Sequence, residues 1–571
     1  METYLQFDFE GKEKTFTHPI DIITVSHVSN IHHAFNRIEK ALNDGYYVAG
    51  YVSYEAAPAF DNSYIVHDNP SLPLIWFGVF KEFTTFKTKN DYVPYSISTW
   101  KNTVSHKKYN ESIAKIKSLI GQGNTYQVNY TTRLKARFTG DSYSFYQQLL
   151  QNQSASYCAY LSMEDFQILS VSPELFFHVC NGQMTTKPMK GTIKRGKTLR
   201  DDAILKEQLI NSKKDRAENV MIVDLLRNDL GRIAKPGTVK VERLFDIETY
   251  PTVHQMTSTI SATLEKNTVF DWFQALFPCG SITGAPKVET MKYIAELEDT
   301  PREVYCGAIG FITPQREAMF NVPIRTVIIR ENQATYGTGG GITWNSVPKD
   351  EYQELKQKAA VLYQKSKPFS LLESIKLEQG NYPLLSFHMN RLRESAIYFQ
   401  IPHRIDYIVQ QLEELATKNT NGTFKVRLLL HSNGEITLEC KSVKPIPEPI
   451  QVTIARKPID KENIFLYHKT TNRSVYKVFE EYMPMNALTT LLWNEDGFIT
   501  EFTIGNVVLE NNGLYYTPPV TDGLLAGTYR QKLLTDGIIK EKSVSLDEIN
   551  NFDHIWFINS VRGWLKVQLI Q

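Results

Sequence analysis

The sequence predicts an α+β fold in each of two successive parts, and three observations carry that expectation. The chain has 571 residues, several times what one hydrophobic core sustains, so at least two cores are expected. Runs rich in β-branched and aromatic residues alternate with amphipathic helical stretches, and no unit of 20 to 50 residues repeats. A helix-like segment ends in basic residues, meets Pro368, and a fresh pattern starts at Phe369. The expected parts are 1–366, with a core from about 100, and 369–571.

In chain order, YNESIAKIKSLIGQG (109–123) places Ile113, Ile116 and Leu119 at helical spacing, and Gly123 closes the helix. FQILSVSPELFFHVC and REAMFNVPIRTVII each read as strand, and EYQELKQKAAVLYQKSK as the helix that closes the first part. In the second part, DGFITEFTIGNVVLENNGLYYTPP reads as two strand runs around an Asn-Asn-Gly turn, and FDHIWFINSV as a closing strand.

Composition narrows the function classes. Sixty-three basic against sixty-two acidic side chains give no electrostatic reason to expect a nucleic acid or an anionic membrane. The five cysteines are dispersed, odd in number and form no CxxC pair, against both a disulfide framework and a zinc site. The first residues carry no signal-peptide pattern, and no run reaches the ~18 apolar residues of a membrane span. A soluble, cytoplasmic enzyme is expected.

Six segments of the first part stand out: SPELFF (172–177), KPMKGTIKRG (187–196), DRAENVMIVDLLRNDLGR (215–232), GSITGAPK (280–287), IRT (324–326) and YGTGGGI (336–342). Each has a plain reading. Gly339, Gly340 and Gly341 suit an ordinary loop as well as an anion site of backbone amides. Glu218 suits a charge near a helix N-terminus. Glu351 and Glu354 suit a solvated helix face with Lys356 and Lys358. Glu174 suits a strand-end surface, and His254 a satisfied core residue.

Together and in this order the segments resemble the chorismate-utilising family that includes anthranilate, aminodeoxychorismate and isochorismate synthases. The resemblance implies two large sheets flanked by helices, chorismate in a cleft between them, and magnesium, which favours hard oxygen ligands. It places the metal on Glu218 and Glu354 with Glu351 close by. Substrate contacts fall on Arg325 and Tyr305, on Thr283, on His254, and on the backbone of Gly191, Thr192, Gly339 and Gly341; an arginine fork suits a carboxylate. Lys190 selects the reaction: where anthranilate synthases carry alanine, this amine is implied to attack C2 of the ring as the C4 hydroxyl leaves, after which ammonia adds at C4. That amine must be unprotonated, and the metal with Lys187, Lys194 and Arg195 is expected to lower its pKa. Glu174 is the implied general acid. No cysteine sits in a glycine-flanked elbow with a downstream histidine and acid, so ammonia is expected from a separate glutaminase or from free ammonium.

In the second part, SFHMNRLRESA (386–396), YHKTTNRSVY (467–476), DGFITEFTIGNVVL (496–509) and GLLAGTYRQKLL (523–534) resemble the fold-type IV pyridoxal-phosphate enzymes. The resemblance implies that Lys469 holds the cofactor and moves protons. Glu501 keeps the pyridine nitrogen protonated, and Arg391, Thr528 and the backbone around Thr503 and Ile504 cradle the phosphate. FINSVRG (557–563) is similar to the aminodeoxychorismate lyase branch, in which a hydroxyl at Ser374 is placed to protonate departing pyruvate; a capping or buried serine is the plain reading. The strand hairpin that usually precedes the FSLLESI segment is lacking, which leaves a sheet edge to be covered. The family usually dimerises, so a homodimer is implied. The rival expectation is an anthranilate- or isochorismate-forming enzyme joined to an aminotransferase, and Lys190 speaks against it.

Overall fold

A computed structural model of the chain describes residues 3–85, 92–153, 155–363 and 368–570. It divides into two compact units, Met1–Lys194 with Lys206–Ser366, and Arg195–Leu205 with Lys367–Gln571. The expected join lies between 366 and 369, and of these 366 and 367 fall outside the described residues. Arg195–Leu205 differ from the expected division, because they are anchored in the second unit. There the Arg195 guanidinium meets the Asp202 carboxylate at 2.5 Å with both side chains almost fully buried, and stacks 4.1 Å from the Tyr398 ring. Among the described residues no helix is long and apolar enough to cross a membrane.

The first unit holds two ten-stranded sheets built from antiparallel pairings. Both long stretches that read as single strands are in fact two strands in different sheets. Phe166–Ser172 lies in one sheet and Leu175–Cys180 in the other, broken at Pro173, which cannot donate to a ladder. Ala318–Asn321 and Thr326–Arg330 divide in the same way around Arg325, whose φ is +53°. The core includes Phe177, Trp272, Phe273 and Phe320. The helix expected from 109–123 runs His106–Gly121 beneath a Ser105 cap, buries Ile113 and Ile116, and ends before Gly123 at φ +78°. The closing helix is Pro348–Ala359, with proline at its first position and only Leu355 and Ala359 buried.

The second unit contains a three-stranded sheet, Leu371–Glu378, Thr423–Leu430 and Ile436–Ser442. Helices Leu385–Tyr398 and Ile405–Thr417 cover one face through Leu392, Ala396, Ile408 and Leu412 against Ile375, Val426 and Leu428. The edge left by the missing hairpin is paired: Leu371 bridges Thr470, and the Leu372 amide donates to the Lys469 carbonyl at 2.9 Å. An eight-stranded sheet closes on itself where Ile499–Phe502 pairs with Gly505–Asn511. The Asn512-Gly513 turn, with φ values of +51° and +75°, joins Gly505–Asn511 to Leu514–Thr517 as expected, but the first of the two expected runs is itself two strands, Ile499–Phe502 and Gly505–Asn511. The last strand is Gly563–Leu569, hairpin partner of His554–Asn559, so FDHIWFINSV is not the closing element.

Candidate active sites

The first site is built where the chain crosses between the two sheets of the first unit. The Glu174 amide donates to Ser172 Oγ at 3.2 Å, that hydroxyl donates to the Val322 carbonyl at 2.6 Å, and the Val322 amide donates to the Glu174 carbonyl at 3.0 Å. The two crossings are thereby tied together. Glu174 is 4% exposed, so it is no surface residue, and its Oε1 accepts no hydrogen bond among the described residues. Burial raises its pKa and favours the protonated acid, with Ser281 and Lys190 acting the other way.

Lys190 sits on strand Met189–Lys194, whose register with Val253–Thr263 slips between Met189 and Thr192. Gly191 takes up that bulge at φ +91°, a conformation open to glycine, and the bulge re-aims the neighbouring side chain. Lys190 Nζ donates to the Ser281 carbonyl at 2.9 Å. Burial lowers its pKa and the Lys358 charge adds to this, while Glu174 and Glu218 oppose it. Two of the three side chains expected to act here have other partners: Lys187 pairs with Glu248, and Arg195 with Asp202 in the second unit.

The glycine triplet is not a loop. It lies within strand Gln333–Ile342, paired on one side with Gln127–Gly140, while its other strand neighbour reaches only to Tyr336. Beyond that point the outer backbone groups are free of a ladder. A Cβ at Gly340 would lie 3.5 Å from Glu351 Oε2, 3.6 Å from Lys358 Nζ and 3.7 Å from Glu354 Oε1, which marks where these three side chains converge. At Gly339 and Gly341 a Cβ would collide with the Tyr130 carbonyl and the Gln127 amide, each at 2.2 Å.

Among the described residues no three His, Cys, Asp or Glu are grouped closely enough to hold a metal. Lys358 Nζ is 2.7 Å from Glu354 and donates to the Gly339 carbonyl at 2.8 Å. Its charge holds the Glu354 pKa down, whereas burial, then neighbouring carboxylates, raise those of Glu351 and Glu218. Glu351 and Glu218, which burial makes costly to ionise, are hard oxygen donors of the kind magnesium takes, whereas Glu354 already has the Lys358 cation beside it. Sequence reasoning missed Lys358 because Glu354 and Lys358 read as a solvated i,i+4 pair.

Other expected contacts are engaged within the protein. Arg325 Nη1 donates to the Lys358 carbonyl at 2.6 Å, as does the Tyr336 hydroxyl at 2.8 Å. Tyr305 is buried, with its ring against Gly337 and 5.3 Å from the Arg133 guanidinium. Thr283 Oγ1 donates to the Cys279 and Gly280 carbonyls at 3.3 and 3.2 Å. His254 is wholly buried with Nδ1 3.1 Å from Thr249 Oγ1, and Thr192 Oγ1 lies 3.4 Å from Gln255 Nε2.

The second site is a cavity of about 620 Å³ in the second unit, lined by Ser374, Arg391, Lys469, Glu501, Thr503, Ile504 and Thr528 among others. Thr503 and Ile504 form the two-residue turn between Phe502 and Gly505. Thr528 opens a helix that runs to Thr535, with Gly527 as its cap. Glu501 is buried, accepts from the Tyr476 hydroxyl at 2.8 Å and the Leu525 amide at 3.2 Å, and burial pushes its pKa up to about 8. Lys469 is pushed down to about 8 by burial and by Arg391.

The sequence did not single out Glu373 and His388. Glu373 receives Arg391 Nε and Nη2 at 2.9 and 2.6 Å and His388 Nδ1 at 2.7 Å, and His388 Nε2 lies 3.3 Å from Thr528 Oγ1. Burial alone would raise the Glu373 pKa, but Arg391 and His388 bring it to about 2. One carboxylate thus orients both side chains of the expected phosphate cradle. A buried lysine, a buried carboxylate, a tight turn, a helix N-terminus and an arginine in one cavity fit pyridoxal phosphate.

These sites define a chain with two separate candidate catalytic centres, one in a two-sheet body and one beside a closed sheet. Residues 93–364 match the chorismate binding enzyme family and residues 370–570 the amino-transferase class IV family. Aminodeoxychorismate synthase component 1 of Salmonella typhimurium is 42% identical over 258 residues, 45% of this chain and 57% of the relative. Anthranilate synthase component 1 of Aquifex aeolicus is 35% identical over 280 residues, 49% of this chain and 56% of the relative. The chain thus spans about half the length of these curated relatives. The crystal structure of anthranilate synthase component I from Streptococcus pneumoniae TIGR4 superposes with a TM-score of 0.52 at 24% identity, covering 64% of this chain and 91% of the other, a likeness of fold.

Proposed function

We propose that the chain makes 4-aminobenzoate in two steps: amination of chorismate at C4 by the first unit, then elimination of pyruvate by the second. The observation that carries the reading is the Lys190 amine, lowered in pKa and facing the charge of a buried, protonation-prone Glu174 within a chorismate-binding domain. Neutral Lys190 adds at C2 while Glu174 protonates the C4 hydroxyl as it leaves. Ammonia then adds at C4 and Lys190 departs, giving aminodeoxychorismate. Glu218, Glu351 and Glu354 would hold magnesium, which supplies positive charge toward a substrate carboxylate. Ammonia comes from a separate glutaminase, as the component 1 naming of relatives suggests.

In the second unit Arg391, Thr528 and the Thr503–Ile504 turn hold the cofactor phosphate, and Glu501 holds the proton of the pyridine nitrogen. Pyridoxal phosphate bound there supplies an electron sink for the ring amine. Lys469 takes the proton from C4 of the substrate ring, and Ser374 protonates the departing pyruvate, leaving an aromatic ring. The test is to incubate the chain with chorismate, magnesium, ammonium and pyridoxal phosphate and identify the products by chromatography. 4-Aminobenzoate and pyruvate are expected. Anthranilate would overturn the role of Lys190, and accumulated aminodeoxychorismate would overturn the lyase role.

A further inference from the structure

The three-stranded sheet turns one face to its helices and the other to the second cavity, and the two faces differ in charge. Along Thr423–Leu430, Val426, Leu428 and Leu430 are buried in the core, whereas the alternate residues Lys425 and Arg427 line the cavity. Arg427 stands in register beside Ser374, and Lys425 beside Lys441, which also lines the cavity. Arg473 and Arg562 reach the same space from other segments.

Their counter-charge is incomplete. Arg427 and Lys441 share Glu439, at 3.2 and 3.8 Å, and Arg473 pairs with Glu480 at 3.0 Å. Lys425 has no hydrogen bond or ion pair among the described residues, and after burial the charges that act on it are the cations Arg427, Arg562, Lys441 and Arg473. Keeping so many cations around one cavity costs self-repulsion that an anionic ligand relieves. The cofactor phosphate has its own cradle in Arg391, Thr528 and the Thr503–Ile504 turn, so this excess serves another anion.

We propose that Lys425, with Arg427 and Arg562, binds a carboxylate of the substrate remote from its amine, so that the cavity selects a ring amine with two carboxylates over a simple amino acid. The proposal rests on the lyase reading and names the substrate class of that site. Aminodeoxychorismate has this charge pattern, one carboxylate on the ring and one on the enol ether. The residues specify recognition only, and the proton transfers stay with Lys469 and Ser374.

The test uses the full-length chain loaded with pyridoxal phosphate and two matched probes, 3-(carboxymethoxy)benzoate and 3-methoxybenzoate, which differ by one carboxylate. Binding is read from the visible absorbance of the cofactor. The dicarboxylate should bind about tenfold more tightly or better, and Lys425→Met should remove that advantage while leaving the cofactor spectrum and the monocarboxylate affinity unchanged. The same variant should raise the KM for aminodeoxychorismate about tenfold with little change in kcat. Equal binding of both probes by the unaltered chain, or an unchanged preference in Lys425→Met, overturns the proposal. Should Lys425→Met not fold, Lys425→Gln carries the same comparison. If the dicarboxylate preference depends on Lys425 but aminodeoxychorismate releases no pyruvate, the lyase reading fails while the dicarboxylate site stands.

Discussion

Lys190 and Lys469 meet one physical requirement in two folds, since an amine acts as a nucleophile only when unprotonated and lysine is ordinarily protonated at neutral pH. Burial lowers both. For Lys469 the value is about 8, so the apo protein should capture pyridoxal phosphate faster as pH rises through that point and level off above it. The sign follows from the neutral amine being the reactive form, whose fraction grows as pH passes its pKa. The initial rate of cofactor absorbance between about pH 6.5 and 9.5 measures this, and a rate still climbing steeply at the top of that range would contradict the lowered value. Lys190 lies among Glu174, Glu218 and Lys358, and Lys190→Ala should cut aminodeoxychorismate formation by orders of magnitude without loss of the folded state. An unchanged rate would end the covalent role. Lys358 itself was hidden in the sequence, because a helical Glu and Lys four apart is what a solvated face also shows.

The backbone around these residues does as much as the side chains. Gly191 holds φ +91° at the bulge beside Lys190, and a Cβ there would stand 2.9 Å from Asp215 Cβ. Gly191→Ala should therefore cost roughly 1–3 kcal/mol and slow amination, whereas Gly231→Ala, with open space and no positive φ, should leave both near their original values. Thermal unfolding with a single-turnover assay distinguishes them. In the second unit, Glu373→Ala strands Arg391 beside His388 in a buried network. A loss of roughly 3–5 kcal/mol and weaker cofactor binding are expected, read by calorimetry and cofactor titration. The strands themselves were legible from β-branched and aromatic runs, but the crossings at Glu174 and Arg325 were not. Alternation along a strand reports burial of its faces and says nothing of which sheet pairs with its edges. Pro173 was the local signal for one crossing. Pro323 stood at the other in the same way, whereas the positive φ of Arg325 gave no signal, because on arginine it is imposed by tertiary contacts. Glu373 was equally illegible, since its role depends on Arg391, eighteen residues away.

At the scale of the molecule, sequence order and structural membership part company. Arg195–Leu205 lie between Lys190 and Glu218 in the chain, yet they belong to the unit that carries Lys469. The anchor is specific. Arg195 Nε donates to Asp202, its Nη2 donates to the Tyr398 carbonyl at 2.9 Å, the Tyr398 hydroxyl donates to the Gly196 carbonyl at 2.8 Å, and His468 Nε2 lies 3.1 Å from the Lys197 carbonyl. His468 precedes Lys469, so the segment braces the backbone that presents the amine. No pattern in KPMKGTIKRG announced this: the sequence reading set Arg195 to act on Lys190, and the buried partners Asp202 and Tyr398 lie outside that motif. Since the Arg195 and Asp202 side chains are only 5% and 3% exposed, Arg195→Ala leaves a carboxylate buried without its partner, at a cost of roughly 3–5 kcal/mol. Pyridoxal phosphate bound to the folded second unit should raise that unit's unfolding temperature alone, which identifies its transition in a calorimetric scan. Arg195→Ala should lower that same transition and leave the other in place. If the cofactor-insensitive transition falls instead, the segment's stability is coupled to the first unit and its membership in the second is wrong.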